Sequence, residues 1–316
     1  MAIEGNSSRS SRTVVCAGII ALDQVFRVER LPRLGEKIAT RGFFIVNGGC
    51  AANAAVAIAR LGGRAALAGP LGGPAGADSY GDQILAALGP EGIDCRACVR
   101  VPGAATALSA ILLDSRGERT IVTHRDPALD QALPVWPEEL VRRADAVLVD
   151  NHFPDFVLPI CKAARARGIP LVLDADRATH IGDILFRLAT YVVFSSECLR
   201  ATAGIDRLDM ALEHIAKATG AFLAVTNGPN DVLWREKAEL RRTPVLEIET
   251  VDTLGAGDVF HGAFALALAE GQDLAAAVRF GSAAASLKCM RLGGSMAAPF
   301  RSEIDAALTT QLPIVT

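Results

Sequence analysis

The chain has 316 residues, and 51% of them are hydrophobic, which is enough to form a large buried core. Its formal net charge of -3 provides no basic surface, so we expect no nucleic-acid partner. The apolar runs are short and interrupted by charges and glycines, so we also expect no membrane partner.

Two features of the composition bear on where the protein acts. Residues 1–12 are polar and serine-rich and lack the apolar stretch of a signal peptide, so they are predicted to be a disordered tail. The seven cysteines are scattered and odd in number, which favours reduced thiols and a cytoplasmic location. Cys95 and Cys98 have the spacing of a redox or metal pair, but a lone C-x-x-C without a second ligand pair is more often incidental.

Beyond the tail, short β-branched or leucine-rich runs alternate with alanine-rich helical stretches. The predicted strands are 13–22, 64–68, 146–149, 171–174, 191–194 and 222–226, and the predicted helices are 50–61, 80–88, 156–167 and 210–219. This alternation predicts an α/β fold with a doubly wound, mostly parallel sheet and helices on both faces. Ligands of such sheets bind beyond the carboxyl ends of the strands, where Asp23, Asp150, Asp174 and Thr226 are expected.

Two segments interrupt the alternation and predict a small second sheet. One contains the extended stretches 25–28 and 36–46, and the other contains a hairpin-like pair around residues 115–118. Together they are expected to form a β lid that projects over the crevice. The predicted organisation is therefore a tail (1–12), a core (13–23, 49–104 and 125–316) and a lid (24–48 and 105–124).

Residues 251–262 read Val-Asp-Thr-Leu-Gly-Ala-Gly-Asp-Val-Phe-His-Gly and lead from a polar turn into a mostly apolar helix. The N–H groups at such a helix N-terminus attract an anion. Asp258 lies just inside this terminus, where it could accept a proton from a hydroxyl held beside the anion. The motif therefore indicates phosphoryl transfer to an alcohol. The alternative is an ordinary strand-to-helix turn in which Asp258 only favours the helix dipole.

A second motif occupies residues 46–62, where a Gly-Gly turn precedes an alanine-rich helix. Gly48 and Gly49 let the backbone approach a ligand closely, and Asn53 offers donors and acceptors to sugar hydroxyls. The alternative is a glycine turn before a core helix that has Asn53 near its cap.

The two motifs, in this order and at this distance, resemble the signatures of the ribokinase-like (PfkB) carbohydrate kinases. The resemblance implies a ribokinase-like fold whose lid closes over the sugar and excludes water. It assigns the catalytic base to Asp258 and the anion hole to Gly255, Ala256 and Gly257. It assigns sugar binding to Asp23, Gly48, Gly49 and Asn53; for Asp23, a carboxylate that simply caps a turn is the alternative.

The resemblance also assigns nucleotide and lid contacts. Thr226 and Gly228 resemble a nucleotide-binding Thr-x-Gly turn, with an ordinary Asn-Gly turn as the alternative, and Thr253 and Lys288 are further nucleotide candidates. On the lid, Arg119 could contact a phosphate through its guanidinium, and Lys37 could face an anionic group of the sugar. For Arg119, a solvated charge on the strand is the alternative.

The implied cofactors are ATP and Mg²⁺, with a monovalent cation left open. The family's Asn-x-x-Glu element, which organises magnesium, should fall within residues 194–198, where Ser195 and Cys198 replace its Asn and Glu. Either Glu197, one residue out of register, replaces the missing Glu, or magnesium is held more through the nucleotide.

The resemblance is nearest to the ketohexokinase and sulfofructose kinase branch, which implies a ketose-like acceptor. His152 stands where the sulfosugar enzyme would have an arginine, so a neutral sugar is the expectation. Nucleoside and sugar-phosphate kinases of the same fold are alternatives, as is a metabolite sensor without turnover. A homodimer through the lid is the expected assembly for this family.

Overall fold

A computed structural model describes residues 11–310 of the chain. The predicted tail therefore lies outside the described residues except for Ser11 and Arg12. Arg12 forms an ion pair with Asp145 at 3.1 Å, so the ordered chain begins before the first strand. None of the helices in residues 11–310 is long and apolar enough to cross a membrane.

Thirteen strands are present in this part of the chain. They are β1 (Thr13–Ala17), β2 (Ala21–Arg27), β3 (Gly42–Gly48), β4 (Arg64–Gly73), β5 (Asp94–Pro102), β6 (Ala107–Leu113), β7 (Arg119–His124), β8 (Ala146–Asp150), β9 (Leu171–Ala175), β10 (Tyr191–Ser195), β11 (Phe222–Asn227), β12 (Asn230–Glu236) and β13 (Glu239–Thr243). Nine form one sheet in the order β13-β12-β11-β10-β9-β8-β1-β4-β5, which is parallel apart from β12 and β13.

Ten α-helices connect or cover the strands. They are α1 (Cys50–Arg60), α2 (Ser79–Leu88), α3 (Pro137–Val141), α4 (Pro154–Arg167), α5 (Ile184–Leu188), α6 (Ser196–Ala203), α7 (Leu208–Ala216), α8 (Ala256–Ala269), α9 (Leu274–Cys289) and α10 (Arg301–Thr310). The helices cover both faces of the large sheet, as the side chains of β1 show. Val14 and Cys16 pack with α1, α8 and α9, whereas Val15 and Ala17 pack with α4, α6 and α7. The predicted doubly wound α/β fold is confirmed.

The predicted strand 13–22 is wrong, because the structure divides it into β1 and β2. The chain bends at Gly18, where an added Cβ would lie 1.9 Å from the Asp150 carboxylate. After the bend, β2 leaves the large sheet and pairs with β3 and β6. Asp23 therefore lies within a strand of the second sheet, and not at the end of the first strand as expected.

The second sheet has four strands in the order β3-β2-β6-β7. It contains most of the predicted extended stretches, and its first strand, β2, begins at Ala21. Strand β3 begins only at Gly42, so residues 36–41 of the predicted stretch 36–46 are not a strand. Its inner face buries Val25, Ile111 and Leu113 against Leu254, which belongs to the loop before α8. The small sheet thus packs directly on the loop that leads into the predicted anion-binding N-terminus of α8. Its movement as a lid stays a prediction.

Close packing of α1 against α8 positions the two sequence motifs beside each other. At Gly262 on α8, an added Cβ would lie 2.6 Å from the carbonyl oxygen of Ala54 on α1. We predict that Gly262→Ala forces the helices apart and destabilises the protein by about 1–3 kcal/mol, in the range of overpacked cores. Gly89→Ala is the control, because its Cβ would meet open space at φ -55°. Urea unfolding of both variants checks this, and equal midpoints would contradict it.

Candidate active site

Helix α8 begins at an accessible N-terminus. Its N-cap Gly255 has φ 75° and contributes no side-chain cap. The N–H of Ala256 donates to the carbonyl oxygen of Thr253 at 3.2 Å, whereas the N–H groups of Gly255 and Gly257 are left for another acceptor. Gly255 and Ala256 are partly exposed, and Gly257 is exposed. The start of α8 therefore offers backbone donors to an anion.

Asp258 is held by a chain of hydrogen bonds from the other motif. Asn53 Nδ2 donates to Asp258 Oδ2 at 2.7 Å, and Asn53 Oδ1 accepts from Ser295 Oγ at 2.5 Å. Because an ionised carboxylate can only accept, the amide nitrogen faces Asp258, and Ser295 donates to the amide oxygen. Asn53 is only 4% exposed, so in this structure its amide positions Asp258; its contact with a sugar stays a prediction.

Both carboxylates of the site have a raised affinity for protons. Burial raises the pKa of Asp258 to about 6, and the negative charge of Asp176 adds to this while the Asn53 hydrogen bond opposes it. Burial also raises the pKa of Asp23 to about 7, against a hydrogen bond from Ser109 and with the help of the Asp258 charge. The Asp258 charge is thus one of the causes that raise the pKa of Asp23; that the two carboxylates act in one site stays a prediction.

Gly48 and Gly49 make room for this arrangement. A Cβ at Gly48 would lie 2.2 Å from the Asp23 carboxylate. At Gly49, φ is 88° and a Cβ would lie 2.5 Å from the carbonyl oxygen of Ile19. A larger residue at Gly48 would displace the Asp23 side chain, and one at Gly49 would displace the backbone at Ile19. The glycines are therefore explained by close packing; their contact with a sugar stays a prediction.

Lys288 is buried, although the resemblance assigned it to the nucleotide site. Its side chain is fully buried, and Nζ contacts Asp252 through the carbonyl oxygen at 2.7 Å and the carboxylate at 3.1 Å. The Asp252 carboxylate also accepts from the N–H groups of Leu254, Gly293 and Gly294. The ammonium therefore fixes the loop before α8, and burial lowers the pKa of Lys288.

The lid hairpin is hydrogen-bonded to that same loop. Arg119 donates to Thr253 Oγ1 at 2.8 Å, and Thr253 Oγ1 donates to the carbonyl oxygen of Gly117 at 3.1 Å. Two predicted ligands are thus brought together beside the anion hole. Lys37, in contrast, lies exposed between β2 and β3.

The remaining nucleotide candidates lie at the carboxyl end of β11. Thr226 is half-buried near its end, and Gly228 lies in the turn that follows at φ 57°. Glu197 is exposed in the first turn of α6, while Cys198 points into the core. A single exposed carboxylate fits a magnesium ion that is held mostly by nucleotide phosphates and water.

Several polar residues lie close to Asp258, and the sequence indicated only some of them. Asp150 and Asp174 are paired across β8 and β9, as their predicted position in the crevice requires, and His152 Nε2 lies 2.9 Å from Asp176. Other residues near Asp258 had no signal of their own. They are Cys50, His261 and Ser295. The Cys50 sulfur lies within 4.8 Å of an Asp258 carboxylate oxygen, and His261 Nδ1 lies 3.3 Å from Asp174.

Comparisons with known proteins show the family of the chain. The model of the pfkB family carbohydrate kinases matches residues 11–301. The ribokinase of Bacillus subtilis is 30% identical over 94% of this chain and its own full length, and fructokinase-1 of Oryza sativa is 28% identical over 93% of this chain and 97% of its own.

Solved structures agree as well. A structure from Agrobacterium tumefaciens matches with 38% identity and a TM-score of 0.89, covering 96% of this chain and 99% of its own. The Arabidopsis thaliana ribokinase complexed with ribose and ATP matches with 27% identity and a TM-score of 0.81, covering 95% and 99%. The chain therefore belongs to the pfkB family of carbohydrate kinases and is a sugar kinase.

Proposed function

We propose that this protein transfers the γ-phosphoryl group of ATP to a hydroxyl of a neutral sugar. The observation that carries the proposal is the position of Asp258, held by Asn53 in the first turn of α8, directly beside the accessible N–H groups of residues 255–257. Asp258 accepts the proton of the attacking hydroxyl, and these N–H groups stabilise the charge on the transferred group. ATP is the donor bound by the Arabidopsis relative.

The proposed binding roles follow from position. Asp23 accepts hydrogen bonds from the sugar, and Thr226 and Gly228 contact the nucleotide beyond β11. Arg119, which already lies at Thr253, stabilises the phosphates. Glu197 is the carboxylate that we propose for Mg²⁺, since it lies one residue from the position of the family's Glu. Mg²⁺ bound to ATP would neutralise phosphate charge.

Charge supports a neutral acceptor. Asp23, Asp174, Asp176 and Asp258 surround the site, and they would repel an acceptor that carries a phosphate or sulfonate. The ketose-like acceptor stays a prediction, and the ribokinase and fructokinase relatives make ribose and fructose the first sugars to test.

Two further expectations concern ions and assembly. The buried ammonium of Lys288 already supplies a cation to the loop before α8, so we propose that activity needs no added monovalent cation.

The homodimer through the lid stays a prediction. It is supported by Phe43, Ile45 and Val122, which are between 44% and 69% exposed on the small sheet.

Assays of ADP release with ribose, fructose, other ketoses, sugar phosphates and nucleosides test the proposal. We expect Mg²⁺- and ATP-dependent turnover with a neutral monosaccharide and little with its phosphorylated form. Thermal shifts with sugars but no turnover on any of them would contradict the proposal and favour the sensor. Turnover on nucleosides alone would also contradict it.

A further inference from the structure

A sulfur, an imidazole and three carboxylates, one of them that of Asp258, lie close together at the carboxyl ends of β8 and β9. Cys50, His152 and Asp176 each place a possible ligand atom within 4.8 Å of the other two. Cys50, Asp174 and Asp258 form a second such set. The sulfur of Cys50 belongs to both sets, so it lies between the outer residues and the proposed base.

The first set can be reached from solvent. The side chain of His152 is 18% exposed and that of Asp176 is 46% exposed, whereas Asp174 is only 7% exposed. The hydrogen bond between His152 Nε2 and Asp176 Oδ2 fixes the imidazole on this side. An ion entering the cleft would therefore meet Cys50, His152 and Asp176 before Asp174.

The donor types discriminate between metals. Mg²⁺ prefers oxygen ligands, whereas Zn²⁺ and similar ions bind sulfur, imidazole nitrogen and carboxylate oxygen together. Three protein ligands with a fourth position open to water are a common arrangement for zinc. The set is also strongly anionic, since Asp174, Asp176 and Asp258 each place a carboxylate oxygen within 4.8 Å of the Cys50 sulfur. A divalent cation would relieve that repulsion.

We propose that Cys50, His152 and Asp176 bind Zn²⁺ or a similar divalent cation, and that the bound ion inhibits phosphoryl transfer. Coordination replaces the proton of the Cys50 thiol, which is released to solvent, and puts the ion next to a sulfur that lies within 4.8 Å of the Asp258 carboxylate. The ion also places positive charge beside the base and lowers its basicity. The inhibition rests on the proposed function, whereas the binding does not.

The competing thiols must be removed before binding is measured. Cys95 and Cys98 lie three residues apart on β5, and like Cys289 they are only partly buried. The Cys95→Ala/Cys98→Ala/Cys289→Ala variant is therefore the parent for the experiment. Cys16, Cys161 and Cys198 are buried and need no change.

Titration of this parent with Co²⁺, a spectroscopic substitute for Zn²⁺, tests binding without any assay of activity. We expect one equivalent of Co²⁺ to give the charge-transfer absorption of a cobalt–thiolate bond, and Zn²⁺ to displace it. Cys50→Ala should abolish the band. His152→Ala should weaken binding at least about 10-fold, since even outer-shell partners of metal ligands cost that much.

Inhibition is measured separately, with each variant compared with its own metal-free rate in excess Mg²⁺. Cys50→Ala should raise the half-inhibitory Zn²⁺ concentration at least about 10-fold relative to the parent. A band that persists in Cys50→Ala, or is missing from the folded parent, would overturn the site whether or not the protein is an active kinase. If Cys50→Ala does not fold, unchanged Co²⁺ affinity in His152→Ala would overturn it. Binding without any Zn²⁺ inhibition of an active parent would overturn the inhibitory half.

Discussion

Replacing Asp258 by Asn should lower kcat by about 10²–10⁴-fold, the usual contribution of a positioned general base. Asn keeps the size of Asp and can still accept the hydrogen bond from Asn53, but it cannot take a proton from the sugar. The Kd of ATP should change little, because the N–H groups of residues 255–257 belong to the backbone. Steady-state ADP release and calorimetric ATP titration measure the two quantities. A variant that retains near-normal kcat would exclude Asp258 as the base.

The same variant should also be more stable than the native chain at pH 8. The pKa of Asp258 is about 6 in the folded protein against an ordinary value of 3.8, so folding binds a proton between these pH values. Ionisation of Asp258 then lowers stability as the pH rises from about 4 to about 6, and the cost stays constant above that. It amounts to at most about 3 kcal/mol, because the carboxylate is partly accessible and therefore partly screened.

Asn carries no such cost, so the gain in stability should be present at pH 8 and absent near pH 4. Urea unfolding at the two pH values measures it. If Asp258→Asn is instead less stable than the native chain at pH 8, burial of the ionised carboxylate does not destabilise the native fold. In the native enzyme, kcat should fall as the pH drops below about 6, since protonation removes the base.

Replacing Lys288 by Met should lower the free energy of unfolding by about 3–5 kcal/mol, because it leaves a buried carboxylate without its cation. Asp252 would keep its backbone donors at Leu254, Gly293 and Gly294, so the loss should fall toward the lower end of this range. The variant should also lose activity, because the loop carrying Asp252 leads directly into the N-terminus of α8. Urea unfolding and ADP release in buffer without K⁺ or Na⁺ measure both effects.

Lys217→Met is the matched control, since Lys217 is exposed at the end of α7 and should tolerate the change within about 0.5 kcal/mol. The double variant Asp252→Asn/Lys288→Met should recover part of the lost stability, because it removes both buried charges. Equal stability of the two methionine variants would contradict the structural role of the ammonium. A native enzyme that requires added K⁺ would contradict the proposed independence from monovalent cations.

The sequence predicted the large sheet well because its strands are buried on both faces and are separated by alanine-rich helices. It failed at Gly18, since residues 13–22 form one continuous apolar run and the bend depends on how closely Asp150 approaches the backbone. That contact joins residues from distant parts of the chain. Local periodicity therefore cannot show it.

The site was predictable to a similar extent. The two motifs identified Asp258 and Asn53, but the hydrogen bond that joins them depends on the packing of α1 against α8. The resemblance assigned Lys288 to the nucleotide. Nothing in the sequence indicated its burial, because a basic residue at a helix end is usually exposed. Its partner Asp252 lies 36 residues away and becomes adjacent only in the folded chain.

Hydrogen exchange at the start of α8 tests the central claim most directly. With a non-hydrolysable ATP analogue, peptides containing Gly255, Ala256 and Gly257 should exchange more slowly than with AMP, because only the analogue carries a γ-phosphate to accept from these N–H groups. Exchange that is unchanged in these peptides, while the analogue is shown to be bound, would contradict the account.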